Sequence, residues 1–273
     1  MNSIMLGLLA ETSLHPGSDT TGGVVDLPVA REATTSYPVI MGSGLKGALR
    51  ELFEEKRSKD QAQEIFGKAE AAGNISITDG RLLLLPVRSL SGSHRWVTCP
   101  YILERLQRDL HRIGLQPEIP QLAPGEAEAI VGPPEIQGLY LEELSFKAES
   151  RPEQIKSIVD AITPLIYHQS VQKRLLDQLV VVSDDDFSHF ARYGLPVNAR
   201  NVLNQDTKTS NNLWYEETIP ADSVFYSILT ERAGKPEQLS RLQEMINEVT
   251  YIQVGGNETI GQGWCAMTYQ EGR

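Results

Sequence analysis

The sequence predicts an α+β domain. Strand-like and helical segments interleave along the chain, but their number and spacing are irregular. Continuous apolar runs of the kind that mark parallel strands buried on both faces are few. A split βαβ core elaborated by insertions suits that pattern better than a doubly wound sheet. The 273 residues are read as one domain, 1–273.

Ser3–Ala10 reads as a first strand. Met1–Leu9 lacks the basic leader and small-residue cleavage site of a signal peptide. Gly17–Gly23 (GSDTTGG) is a polar loop, and Asp26 stands at its end. Tyr37–Met41 is a short extended run, broken by Gly42-Ser43-Gly44. A helix follows, with Ser43 as its expected N-cap and Leu45, Leu49, Leu52 and Phe53 on one face. Arg81–Val87 reads as a buried strand ending near Pro86, and Pro100–Ile113 as an amphipathic helix. The Pro- and Gly-rich residues 114–138 read as an irregular insertion. Leu139–Lys147 is strand-like, and Ser150 with Glu153 forms a capping-box pair ahead of a helix. Leu179–Val182 is a strand, and Asp184 is the expected cap of a short helix. Residues 194–215 carry few large apolar side chains and an Asn/Asp/Thr-rich centre, which predicts a protruding hairpin turning near Asn204–Asn211. Ser223–Thr230 is a strand and Pro236–Val249 a helix. The last stretch, YIQVGGNETIGQGWCAMTY, is two strands joined by a glycine-rich loop.

Composition narrows the function. Two cysteines, Cys99 and Cys265, exclude a disulfide framework and an all-cysteine zinc site, and point to a reducing, cytoplasmic setting. No apolar run of about 18 residues predicts a membrane span. The net charge of −11 is unlike that of a free nucleic-acid binder, so RNA contact requires a local basic patch or several copies acting together. A phosphate loop, an H-E-x-x-H helix and a dinucleotide fingerprint are all absent; Gly261 and Gly263 begin a G-x-G that lacks its third glycine.

Three blocks remain: LHPGSDTTGGVVDLPVARE (Leu14–Glu32), VIMGSGLKGALR (Val39–Arg50) and QVGGNETIGQGW (Gln253–Trp264). In the second, a Gly-rich turn leads into a helix whose free amides suit an anion, with Lys46 and Arg50 sharing a face in the first turns. In this order, together with RLLLLPVRSLSG…WVTCPYIL (Arg81–Leu103), the blocks resemble the RAMP superfamily of CRISPR proteins. Within it they resemble the backbone subunit of the type III-B (Cmr) effector.

The resemblance implies an RRM-like (ferredoxin-like) core with insertions and a projecting thumb hairpin, for which residues 194–215 are the candidate. It implies copies of the chain arrayed in a helical filament along a guide crRNA, with other Cmr subunits and a target single-stranded RNA as further partners. It also implies cutting of the target by an aspartate with a divalent metal, Mg²⁺ or Mn²⁺; the matching residue is Asp26. RNA supplies its own nucleophile, the 2′-hydroxyl. Cutting therefore needs alignment, which displacement of a nucleotide provides, plus charge neutralisation by a metal held between one carboxylate and a phosphate oxygen. The expected product carries a 2′,3′-cyclic phosphate.

His15, on the same loop, and Glu217, after the hairpin, are the candidate catalytic companions of Asp26. Arg31, Ser43, Gly44, Lys46, Arg50, Gly255, Gly256, Asn257, Gly261 and Gly263 are the candidate RNA-binding residues. Each has a plainer reading. Arg31 could pair with Glu32, Lys46 and Arg50 could be surface residues, and Trp264 could belong to the core. The acidic balance leads to a further expectation: positive charge gathers along Arg31, Lys46, Arg50 and the last glycine loop. A scaffold that binds RNA without cutting, and a stand-alone RAMP nuclease that processes guide precursors, are the rival readings.

Overall fold

The computed structural model describes residues 2–17, 25–90, 92–133, 138–232 and 237–272. Its centre is the strand Ser3–Ala10, buried along almost its whole length. Both of its edges are paired antiparallel, one to Val224–Glu231 and the other to Trp264–Glu271. A strand buried on both faces needs apolar residues at consecutive positions, and SIMLGLLA supplies them.

Among the described residues, the mixed sheet built around this strand has 12 strands. From one edge they run Tyr251–Gln253, Trp264–Glu271, Ser3–Ala10, Val224–Glu231, Gly80–Arg88, His94–Thr98, Leu179–Val182, Glu128–Val131, Leu144–Ser150 and Leu139–Leu141. Val39–Ile40 and Ile75–Ile77 attach beside this path. Parallel pairing is confined to the second half, where Leu179–Val182 joins His94–Thr98 and Leu144–Ser150 joins Glu128–Val131. This is the α+β architecture that the irregular interleaving predicted.

Helices Gly42–Lys56, Lys59–Phe66 and Gln238–Glu248 pack together as a layer over the first half of the sheet. They contribute Leu45, Leu49, Phe53, Ile65, Phe66, Leu242 and Met245 to the core. The Phe53 and Phe66 rings meet edge to face at 6.1 Å. Gly7 faces the turn Thr163–Leu165, where a Cβ would fall 2.1 Å from the Leu165 carbonyl oxygen.

Several helix starts differ from the sequence reading. Ser43 is not the N-cap of its helix, which begins at Gly42 after Met41. The Gly42 amide donates instead to Asp79 Oδ1 (2.7 Å), from a strand connection far along the chain. The helix Pro152–Ile162 has Arg151 at its cap and no side-chain capping bond, so Ser150 and Glu153 form no capping box. Ser183, rather than Asp184, caps Asp184–Tyr193 and accepts from the Asp186 amide (3.1 Å). Within residues 114–138, Glu128–Val131 is a regular interior strand, stabilised by long-range pairing that local composition does not encode. Residues 18–24, 134–137 and 233–236, which include most of the expected GSDTTGG loop and Pro236, lie outside the described residues.

The expected hairpin is present. Val197–Leu203 and Ser210–Glu217 form a separate two-stranded antiparallel sheet, exposed over most of its length. Its turn is built on Asn204, whose Oδ1 accepts from the Asp206 and Thr207 amides (2.9 and 3.0 Å).

Two stability tests follow. Gly7→Ala forces a methyl into the Leu165 backbone and is expected to lose about 1–3 kcal/mol in chemical unfolding. Gly47→Ala, with nothing within 4 Å of the new methyl, is expected to gain about 0.5–1 kcal/mol. Burial pushes the Cys99 thiol well up and the Cys265 thiol up to about 12. Neither thiol should react with a disulfide reagent in the native chain, and both should react once it is unfolded.

Candidate nucleic-acid interface

Four separated segments meet at the base of the hairpin. Leu14–Gly17 arrives from the central strand, with Leu14 bridged to Ile219 and Gly17 to Val29. Residues 26–29 run beside the end of the hairpin: the Leu27 amide donates to the Tyr215 carbonyl (3.0 Å) and the Glu217 amide to the Leu27 carbonyl (3.0 Å). The glycine loop after Gln253 closes from the other side, with the Gly256 amide donating to the His15 carbonyl (2.9 Å). Gly255 has φ +87° there, and a Cβ on it would sit 2.6 Å from the His15 carbonyl oxygen, so only glycine fits the approach.

Asp26 is exposed, and its Oδ2 accepts from the Tyr215 amide (2.7 Å). His15 is largely buried, and its Nδ1 lies 2.9 Å from the Glu217 carbonyl oxygen. A carbonyl can only accept, so Nδ1 carries the proton. In the neutral ring, Nε2 is therefore the acceptor.

The two neighbouring glutamates point to opposite sides of their strand, as period 2 requires. Glu217 is 7% exposed and fully committed: Oε1 accepts from Arg31 (2.6 Å) and Oε2 from the Val29 amide (3.1 Å). Glu216 is 2% exposed; it accepts from Arg200 Nε (2.7 Å) and from the Asn257 side-chain amide, and its Oε1 lies 3.7 Å from His15 Nδ1. Glu216 therefore joins the hairpin, the glycine loop and the His15 loop through one carboxylate. It was missed in the sequence, although a Glu-Glu pair at the end of a strand that returns to the domain must turn one carboxylate to each side.

Arg31 does not pair with Glu32. Its guanidinium is held by Glu217 and by the Ser36 and Ala191 carbonyls, while Glu32 pairs with Arg105. Arg50 is held by Glu54 (2.8 Å) and the Gly67 carbonyl (3.3 Å). Lys46 forms no ion pair among the described residues and is the basic side chain of this group left available. Ser43 and Gly44 are exposed in the first turn, and no atom lies within 4 Å of a Cβ built on Gly44. Asp79 already occupies the Gly42 amide at that end. Asn257 (φ +66°), Gly261 (φ +79°) and Gly263 (φ +92°) turn the last loop through left-handed backbone. At Gly261 the surroundings are open, whereas at Gly263 a Cβ would lie 2.5 Å from the Val254 carbonyl.

Among the described residues there is no group of three or more His, Cys, Asp or Glu side chains able to hold a metal. Asp26 alone, exposed and with one oxygen engaged, fits a Mg²⁺- or Mn²⁺-type site that draws its other ligands from water and substrate.

A family model described as the RAMP superfamily matches residues 8–266. The chain belongs to the RAMP superfamily. It is 36% identical to the CRISPR system Cmr endoribonuclease Cmr4 of Pyrococcus furiosus, over 99% of this chain and 97% of that protein. It is 26% identical to the CRISPR system CMR subunit Cmr4 of Saccharolobus solfataricus, over 93% of this chain and 92% of that protein. The crystal structure of oligomeric Cmr4 from P. furiosus superposes with a TM-score of 0.81 at 30% identity, covering 100% of this chain and 99% of that one. Two of the blocks singled out in the sequence, Leu14–Glu32 and Gln253–Trp264, meet at the hairpin base. No helix among the described residues is long and apolar enough to cross a membrane.

Removing the shared carboxylate tests whether it clamps these segments. Glu216→Ala leaves the Arg200 and Asn257 donors without their acceptor and is expected to lower unfolding stability by about 1.5–3 kcal/mol. Glu216→Gln, which keeps a side-chain acceptor, should lose less in the same measurement.

Proposed function

We propose that this chain is the repeated backbone subunit of a type III-B CRISPR ribonucleoprotein, binding guide RNA and cutting the paired target RNA as an endoribonuclease. The observation that carries the proposal is the convergence on the hairpin base of an exposed carboxylate, Asp26, a tautomer-fixed imidazole, His15, and an open glycine loop. It is supported by the full-length likeness to a relative named as an endoribonuclease and by the oligomeric state named for a similar structure.

The core is read as RRM-like. The chain order β-α-β-β-α-β corresponds to Ser3–Ala10, Gly42–Lys56, Gly80–Arg88, Val224–Glu231, Gln238–Glu248 and Trp264–Glu271. The spatial order of its strands is fourth, first, third, second, with antiparallel neighbours. The exposed hairpin Val197–Glu217 is the thumb, wedged between stretches of guide–target duplex. Lys46, with the free amides of Ser43 and Gly44, holds the guide backbone through phosphate without regard to sequence.

In the reaction the target's own 2′-hydroxyl attacks the adjacent phosphorus and the 5′-oxygen leaves, giving a 2′,3′-cyclic phosphate. The thumb displaces a nucleotide so that the attacking and leaving oxygens align. His15 Nε2 is the site that can take or return a proton, with Nδ1 held by the Glu217 carbonyl. Asp26 would hold Mg²⁺ or Mn²⁺ with a phosphate oxygen; that ion supplies charge neutralisation. Glu217, bound to Arg31 and Val29, keeps the His15 and Asp26 loops in register rather than meeting the substrate.

The test reconstitutes the complex with guide, complementary target and Mg²⁺ or Mn²⁺. Asp26→Asn can still accept from the Tyr215 amide but has no charge, whereas Asp26→Ala loses both. Both variants are expected to bind target and to cut on the order of a hundredfold more slowly than wild type, which yields regularly spaced products. Full cutting by Asp26→Asn would make Asp26 a structural cap and defeat its catalytic assignment. Target bound but uncut by every form, wild type included, would leave a scaffold. A chelator should abolish cutting while sparing binding; cutting that survives chelation would remove the metal from the scheme.

A further inference from the structure

Beyond the hairpin base, one face of the sheet edge carries an unusual row of rings. Residues directly opposite in an antiparallel pair share a face. Leu9 lies opposite Ala266, Ala266 opposite Tyr251, and Gln253 opposite Trp264. Tyr251, Gln253 and Trp264 therefore look out from one face, and Glu11, two residues beyond Leu9, joins them. The turn Thr163–Leu165 packs on these strands and delivers Tyr167 and His168. His168 Nε2 meets Glu11 Oε1 at 2.8 Å, and its ring lies 6.3 Å from that of Tyr251 and 5.1 Å from that of Tyr167.

Tyr167, Tyr251 and Trp264 are 47%, 42% and 40% exposed. Aromatic side chains of that size normally bury more of themselves. Glu11 and Gln253 share this face with them, and the Trp264 amide donates to Thr12 Oγ1 (3.1 Å). Trp264 also ends the loop whose other arm, Gly255-Gly256, rests on His15. The row of rings thus starts where the candidate RNA site stops.

We infer that Tyr167, His168, Tyr251 and Trp264 form a stacking platform for unpaired bases of an RNA strand running past the glycine loop. The inference rests on the RNA-binding function proposed above. Nucleobases match the surface in both respects: their faces stack on rings, and their polar edges find hydrogen-bonding groups around them. The acidic Glu11 repels phosphate, so the strand lies with its bases inward and its ribose-phosphate chain toward solvent. Stacking is indifferent to sequence, which suits a protein that must accept any guide or target.

The test uses the full-length chain and a fluorescein-labelled single-stranded oligouridine. Trp264→Ala and Tyr251→Ala are expected to weaken binding about fivefold or more each, while Trp264→Phe and Tyr251→Phe stay within about twofold of wild type. Binding should quench tryptophan fluorescence in a Trp214→Phe background, and much less once Trp264→Phe is added, because the remaining Trp96 is buried in the core. Wild-type affinity in the alanine variants overturns the platform alone. If the alanine variants bind RNA normally but lose self-association by light scattering, the rings are a protein interface and the inference falls. If the wild-type chain binds no oligouridine, the platform falls, and target bound by the reconstituted complex then decides separately whether the RNA-binding function stands. Thermal unfolding of each variant separates lost binding from lost folding, and the phenylalanine pair keeps the comparison decisive if alanine destabilises.

Discussion

A carboxylate taken out of water is tolerated only when its lone pairs are met by donors, and Glu216 meets that condition through Arg200 and Asn257, with His15 Nδ1 close by at 3.7 Å. Arg200 comes from the outgoing strand of the hairpin, Asn257 from the last glycine loop, and His15 from the loop after the central strand. None of these segments belongs to a regular element at the point of contact except the hairpin itself. Their mutual arrangement is therefore fixed less by the sheet than by this buried charge and by its neighbour Glu217, which ties Arg31 and the Val29 amide. The exposed hairpin is anchored at one end only, and its anchor is the same group of side chains that shapes the candidate site.

That arrangement gives the acidic composition a role. Much of the positive charge near the site is already spent: Arg31 on Glu217, Arg50 on Glu54, Arg200 on Glu216. Among the described residues around the candidate site, Lys46, the amides at the helix start and glycine-lined backbone are not so spent. Such a surface holds a polyanion weakly per copy. Affinity then comes from many copies along one strand, each adding a modest increment at high effective concentration.

Elements defined by local periodicity were legible in the sequence. Ser3–Ala10, Leu179–Val182, the helix after Gly44 and the hairpin around Asn204 follow from apolar spacing and turn chemistry. What could not be read depends on distant partners. Glu128–Val131 lies in a Pro- and Gly-rich stretch and is a strand only because Lys147–Ser150 and Val180–Val182 pair with it. Ser43 has the chemistry of a cap, but Asp79 approaches from another strand and takes the amide first. At the site, Asp26, His15 and the glycine loop were found as blocks whose convergence only the fold reveals. Choosing Glu217 while overlooking Glu216 reflects the same limit, since their different partners are remote in sequence.

The central strand carries a consequence for biosynthesis. Ser3–Ala10 is synthesised well before both of its neighbours, Val224–Glu231 and Trp264–Glu271, which lie far along the chain from it. While the intervening residues are being made, an almost wholly apolar strand has neither of its native partners, and the loop that must close to supply them is long. Such a chain spends its synthesis exposed to wrong pairings. Its yield should depend on how well this strand is shielded until Val224–Glu231 and Trp264–Glu271 have been made.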